Sequence, residues 1–123
     1  MNLSNGEEQL MNIIWLKGKA FMKDILESFP EPKPAVTTVA TLLKRLSDKG
    51  AIGYTIFGNS REYYPLIQKK AYFSLKLNGL VKDFFNNSPS QFASFFTQET
   101  DMSQKELESL KKIIDDQLKS KTS

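Results

Sequence analysis

Pro30-Glu31-Pro32-Lys33-Pro34 places three prolines within five residues. Each lacks an amide donor, and each pushes the residue before it towards extended backbone. No helix crosses such a stretch. The amphipathic segments on its two sides must therefore be separate elements, joined by an extended linker.

The segment before the linker opens with Ser4-Asn5-Gly6-Glu7, the S-x-x-E form of a capping box. Leu10, Met11, Ile13, Ile14 and Trp15 follow as an apolar helical face. Lys17-Gly18-Lys19 ends that helix, with Gly18 suited to a left-handed cap. Phe21, Ile25 and Phe29 recur at i, i+4 and i+8, which predicts a second helix over Ala20–Phe29.

After the linker, residues 37–50 read TTVATLLKRLSDKG. At about 100° per residue, Val39, Leu42, Leu43 and Leu46 gather on one side of a third helix. Thr37, Thr38, Thr41, Lys44, Arg45 and Asp48 gather on the other. Gly50 ends this helix. Tyr54–Phe57 and Arg61–Tyr64 are rich in aromatic and β-branched residues, and Gly58-Asn59-Ser60 between them supplies turn chemistry. That predicts a β-hairpin with Arg61 near its tip, closed off by Pro65.

Composition then shifts, with six of the nine phenylalanines between Phe73 and Phe96. Phe73, Leu77, Leu80 and Phe84 share a stripe on a helix over about Lys70–Asn86. Ser88-Pro89 is a cap and first-turn pair for a short helix carrying Phe92, Phe95 and Phe96. Ser103-Gln104-Lys105-Glu106 is a second capping box, opening a last helix with Leu107, Leu110, Ile114 and Leu118 on one stripe. The closing KSKTS reads as a frayed tail. The expected fold is mainly α: a winged helix-turn-helix of three helices plus a two-stranded β-wing, then a three-helix C-terminal dimerisation domain. The boundaries are 1–68 and 69–123.

The chain has no cysteine and no histidine. Disulfide frameworks, thiolate metal sites, cysteine nucleophiles and imidazole acid–base chemistry are excluded together. Neither a Gly-rich phosphate loop nor paired carboxylates beside an evident pocket appear, so an enzyme is not expected, and neither is a metal or cofactor. The start lacks a signal-peptide pattern, and no apolar run approaches the roughly 18 residues that span a membrane. A cytoplasmic protein is expected.

Net charge is +3 and the sequence pI is about 9.1. The excess is concentrated. Lys33, Lys44, Arg45 and Lys49 face the single acid Asp48, and Lys69, Lys70, Lys76 and Lys82 face none between Gln68 and Lys82. An anionic partner fits this distribution.

Two readings of the third helix stand at this point. Its polar face can be a solvated surface, or it can enter a DNA major groove, which is about 12 Å wide and admits one helix. In the second reading Thr37, Thr38 and Thr41 are short enough to let the backbone approach. Lys44 and Arg45 reach phosphates or a guanine edge. Asn59, Ser60 and Arg61 on the hairpin tip reach the backbone or the adjacent minor groove. The C-terminal apolar residues also carry two readings. Phe73, Leu77, Leu80, Val81, Phe84, Phe85, Phe92, Phe95, Phe96, Leu107, Leu110, Ile114 and Leu118 can cover the core of their own chain or form a homodimer interface. Trp15 and at most one of Tyr63 and Tyr64 face the core. An alternative function is a winged-helix protein-interaction module without specific DNA binding.

These residues resemble the BlaI/MecI/CopY repressors, the penicillinase-repressor family of winged-helix regulators. Leu3-Ser4 with Glu7, Leu10-Met11 and Ile14-Trp15 follows the family's L-[ST]-x-x-E-x-x-V-M-x-x-L-W opening. Thr38-Val39, Thr41-Leu42-Leu43, Arg45-Leu46 and Lys49-Gly50 follow its T-V-x-T-L-L-x-R-L-x-x-K-G recognition helix. Gly58 with Tyr63-Tyr64-Pro65-Leu66 follows its wing. The resemblance implies a homodimeric repressor binding double-stranded, dyad-symmetric operator DNA with TACA/TGTA-like half-sites. In the β-lactam branch it implies a membrane sensor-protease that triggers cleavage in the C-terminal domain. That bond falls by position at Phe95-Phe96, where Phe95 replaces the Asn of the best-known members. The copper-sensing branch carries C-terminal cysteines, which this chain lacks. Ala40 stands where antibiotic-resistance members carry a basic residue, which marks it as a position that shapes base preference.

Overall fold

A computed structural model of the protein describes residues 1–122. These form α1 (Asn5–Lys17), β1 (Ala20–Phe21), α2 (Met22–Ser28), α3 (Val36–Asp48), β2 (Ile52–Phe57), β3 (Ser60–Pro65), α4 (Lys69–Phe84), α5 (Pro89–Glu99) and α6 (Gln104–Thr122). The chain divides into two compact units, Met1–Lys76 and a second from Leu77 onward. The architecture is a winged helix-turn-helix followed by a helical region, as the sequence predicts.

Local chemistry sets the helix ends. Ser4 Oγ accepts from the Glu7 amide at 3.2 Å, and Glu7 accepts from the Ser4 amide at 3.1 Å, which completes the capping box of α1. At the end of α3 the Ala51 amide donates to Leu46 O at 2.9 Å and the Gly50 amide to Ser47 O at 3.0 Å. That double closure is a Schellman motif, and it needs the positive φ of +76° at Gly50. It turns the chain sharply from α3 into β2.

The second helix is shorter than its periodicity predicts. Ala20 and Phe21 are extended and pair with Tyr63 and Glu62, so the wing is a three-stranded antiparallel sheet in the order β1-β3-β2. Strand pairing claims the first two residues of the predicted helix. The Asp24 carboxylate then accepts from the Phe21 amide at 3.0 Å and starts α2 at Met22. Ile25 and Phe29 keep the buried positions that the repeat assigns them.

The β2–β3 hairpin also runs longer than expected, because Ile52 pairs with Pro65. Pro65 is tolerated because β1 covers β3 only as far as Tyr63, so its missing amide removes no ladder bond there. The loop is just Gly58-Asn59, with φ of +60° at Gly58, the first-position pattern of a type II′ turn.

The core of the first unit joins Leu10, Met11 and Ile14 of α1, Ile25 and Phe29 near α2, and Val39, Leu43 and Leu46 of α3. Ala20, Ile52 and Tyr63 of the sheet close it. Trp15 packs against this cluster and donates from Nε1 to Ile67 O at 2.9 Å. Tyr72 at the start of α4 is buried in the same core. In the second unit Ser88 caps α5, accepting from the Gln91 amide at 3.1 Å with Pro89 in the first turn. Ser103 caps α6 by accepting from the Glu106 amide at 3.2 Å. The segment expected to fray stays helical through Thr122.

Candidate nucleic-acid interface

The candidate surface begins with what holds α3 down. Val39, Leu43 and Leu46 are buried, and Leu42 packs half-buried against the same cluster. Each such side chain, buried, contributes about 1.5–3 kcal/mol relative to exposure. Thr37, Thr38, Ala40, Thr41, Lys44 and Arg45 are all exposed on the other side. The predicted division of the helix is therefore the observed one.

Within the exposed face the side chains differ. Thr41 Oγ1 donates to Thr37 O at 2.9 Å, so in this rotamer its hydroxyl offers only lone pairs outward. Lys44 pairs with Asp48 at 3.1 Å across one helical turn, with both groups largely in solvent. Such a pair is weak and readily exchanged for another anion. Arg45 makes no ion pair among the described residues. Asn59, Ser60 and Arg61 are exposed on the wing. The Arg61 guanidinium lies 4.4 Å from the centroid of the Tyr54 ring.

Much of the basic excess has internal work. Lys33 Nζ donates to Leu26, Glu27 and Phe29 carbonyls at 3.3, 3.1 and 2.9 Å, closing the C-terminal end of α2. Lys49 Nζ sits 2.8 Å from Glu7 Oε2 and 2.9 Å from Asn2 O. It pins the end of α3 to the start of α1. Glu7 is only 3% exposed. Burial pushes its carboxyl up, but hydrogen bonds from Lys49 and Ser4 outweigh that and hold it below the usual range. The pair escaped the sequence reading, although a signal existed. Glu7, Leu10, Met11 and Ile14 share one helical face, and a carboxylate on an apolar stripe needs a cation.

The second basic stretch is similar. Lys69 donates to Asn12 Oδ1 at 3.1 Å. Lys76 and the Tyr72 hydroxyl both bond Glu8, tying α1 to the first turns of α4. Lys76 first, and Tyr72 next, hold the Glu8 carboxyl low. Burial, with Glu8 beside it, pushes the Tyr72 hydroxyl up to about 12.

The residues predicted for dimerisation separate. Phe73 lies in the first unit, edge-on to Trp15 at 5.8 Å and to Tyr72 at 5.1 Å. In the second unit Val81 is buried and Phe85, Phe92 and Leu110 are half-buried. Phe85 contacts Phe92 and Phe95 at ring distances of 5.4 and 5.3 Å. Leu77, Leu80, Phe84, Phe95, Phe96, Leu107, Ile114 and Leu118 are exposed. The Phe95–Phe96 bond lies inside α5. No helix is long and apolar enough to cross a membrane, and no group of three or more potential metal-ligating side chains occurs, among the described residues.

Comparison with known proteins agrees with this geometry. A family model described as Penicillinase repressor matches residues 3–116. The methicillin resistance regulatory protein MecI of Staphylococcus aureus (strain N315) is 27% identical over 113 residues, covering 91% of this chain and 92% of that relative. The penicillinase repressor of Bacillus licheniformis is 23% identical over 115 residues, covering 93% and 90%. The solution structure of the DNA-binding domain of the repressor BlaI is similar at 25% identity with a TM-score of 0.52. That likeness spans 58% of this chain and 88% of that domain.

Proposed function

The chain belongs to the penicillinase repressor family of winged-helix transcriptional repressors, and from that premise we propose that it acts as a homodimer on dyad-symmetric operator DNA. The observation that carries this reading is the two-sided α3. Its apolar back is locked to α1, α2 and the sheet, and its exposed front presents threonines, Lys44 and Arg45. In a helix-turn-helix that front enters the major groove. Thr37, Thr38 and Thr41 allow close approach, Lys44 and Arg45 supply charge, and Asn59, Ser60 and Arg61 follow the backbone beside it. Ala40 stands at the edge of this face, where its short side chain favours a thymine methyl over a charged contact.

The exposed apolar residues from Leu77 onward support pairing of two copies. Two-fold symmetry would then present two recognition helices to a palindromic site. Repression is relieved by a signal acting on the C-terminal helices, such as cleavage by a membrane sensor-protease. Cutting at Phe95–Phe96 requires local unwinding of α5 first.

The test is binding to native promoter fragments recovered by genomic footprinting. Wild-type affinity is expected to fall by about 10³–10⁵ between roughly 50 and 200 mM salt if about 6–10 phosphates are contacted. Lys44→Ala with Arg45→Ala should abolish specific binding while the melting temperature stays within a degree or two, since both side chains are exposed. A folded dimer that recovers no preferred sequence, yet captures a partner protein, would replace this reading with that of a protein-interaction module.

A further inference from the structure

We propose that the cleft between the start of α2 and the tip of the wing seats one phosphate of the DNA backbone, held by Lys23 from one wall and Arg61 from the other. The inference rests on the DNA-binding reading above and adds Lys23, and Tyr54 as a positioning residue, to it. The cleft holds about 370 Å³, and Phe21 and Tyr63 are among its lining residues. Its polar members are Lys23, Asn59, Ser60 and Arg61. Two cations therefore share one concavity with neutral hydrogen-bonding side chains, and no carboxylate of the described residues lines it.

The nearest acids in sequence are not among its lining residues. Asp24 is held by the Phe21 amide at 3.0 Å. Glu62 follows Arg61 on β3 and pairs with Phe21. Neither Lys23 nor Arg61 makes an ion pair among the described residues. A cleft of this charge, open to solvent, is matched to an anion of the phosphodiester kind.

Arg61 is also oriented. Tyr54 pairs with Tyr63, two residues from Arg61, so all three side chains share one face of the hairpin. Tyr63 is buried in the core and packs edge-on against Tyr54 at 5.8 Å. Tyr54 in turn carries the Arg61 guanidinium at 4.4 Å from its ring centroid. The series runs from rigid core to exposed charge. Stacked this way, the planar guanidinium loses less freedom when it meets a phosphate, and it presents paired donors that a lysine lacks.

The test uses the full chain and a random-sequence duplex of about 30 base pairs, because a backbone phosphate contact carries no sequence information. Lys23→Gln removes one phosphate contact per protomer, so the slope of log affinity against log salt should become shallower by about two for a bound dimer, with an equal fractional loss on random and preferred DNA. Lys23→Arg should restore the slope. Tyr54→Leu should lose as much affinity as Arg61→Gln and should add nothing on the Arg61→Gln background, whereas Tyr54→Phe should behave as wild type. An unchanged slope for Lys23→Gln, or losses at Tyr54 and Arg61 that simply multiply, overturns the inference while leaving the DNA-binding reading intact. Failure of the wild-type chain to bind the random duplex at about 50 mM salt overturns both. If Tyr54→Leu lowers the melting temperature markedly, the Lys23 slopes and Tyr54→Phe decide the matter.

Discussion

Leu10, Met11, Ile14, Ile25, Val39, Leu43 and Leu46 of the first unit are fully buried, whereas from Leu77 onward only Val81 is buried among the described residues. Yet the helices of the two units are specified in the same way. α1 and α6 both start at an S-x-x-E sequence, and both carry an apolar stripe. What differs is cover. α1, α2, α3 and the three-stranded sheet wrap one another around a common centre. The stripe of α6, by contrast, leaves Leu107, Ile114 and Leu118 exposed on a single chain. Amphipathicity specifies that a helix has a side to bury. It does not specify whether its own chain supplies the cover.

The contrast can be broken most forcefully at Leu43. Leu43→Ala removes a buried side chain from the back of α3 and should cost about 2–5 kcal/mol of unfolding free energy. A chemical-denaturation midpoint reads this directly. DNA binding should fall with it as the α3 anchor loosens. A loss below about 1 kcal/mol would mean that the first unit is packed as loosely as the second.

The next largest effect lies at Lys49. Lys49→Ala strands the Glu7 carboxylate, which is 3% exposed, and should cost about 1–3 kcal/mol, towards the lower end because Lys49 itself is partly solvated. The sign with pH is set by the direction of the shift. In the wild type Glu7 is held below its ordinary value, so its contribution is present above the ordinary carboxylate range and is lost as pH falls through the depressed value. In the variant the contacts that lower it from Lys49 are gone, and burial favours the protonated form. The variant's deficit should therefore be largest near neutral pH and should shrink as pH falls through the ordinary carboxylate range towards the depressed wild-type value. Denaturation midpoints of both proteins at the two ends of that window test it, and a deficit independent of pH would show that Lys49 acts by packing alone.

These contrasts track what the sequence makes legible. Helix ends were readable because Ser4, Ser88, Ser103 and Gly50 act within a few residues of their own positions. The two faces of α3 were readable because a 3.6-residue period states them directly. β1 was not, since Ala20 and Phe21 are strand only through Tyr63 and Glu62, more than forty residues away, and locally they continue a helical repeat. The roles of Lys33 and Lys49 were hidden in the same way. Charge counting placed both beside Lys44 and Arg45, but one closes α2 and the other pairs with Glu7. Of the candidate interface, position and exposure were legible, while the internal partners that hold it in place were not.

The smallest effect on intrachain stability, and the sharpest on assembly, is expected in the second unit. Leu77 is 46% exposed and Phe84 is 76% exposed. Leu77→Ser with Phe84→Ser removes one side chain that is about half in water and one that is mostly so on one chain, so the unfolding free energy of an isolated chain should fall by only about 1 kcal/mol. A dimer that buries the same side chains would lose far more, because truncating large apolar groups at the centre of an interface costs about 2 kcal/mol or more each. Sedimentation velocity over a range of concentrations separates the two quantities. Folded monomers at concentrations where the wild type is dimeric would assign these side chains to the covering partner. An unchanged dimer would move the interface to the α6 stripe, and the same measurement on Ile114→Ser with Leu118→Ser would then decide which apolar face of the second unit a second copy covers.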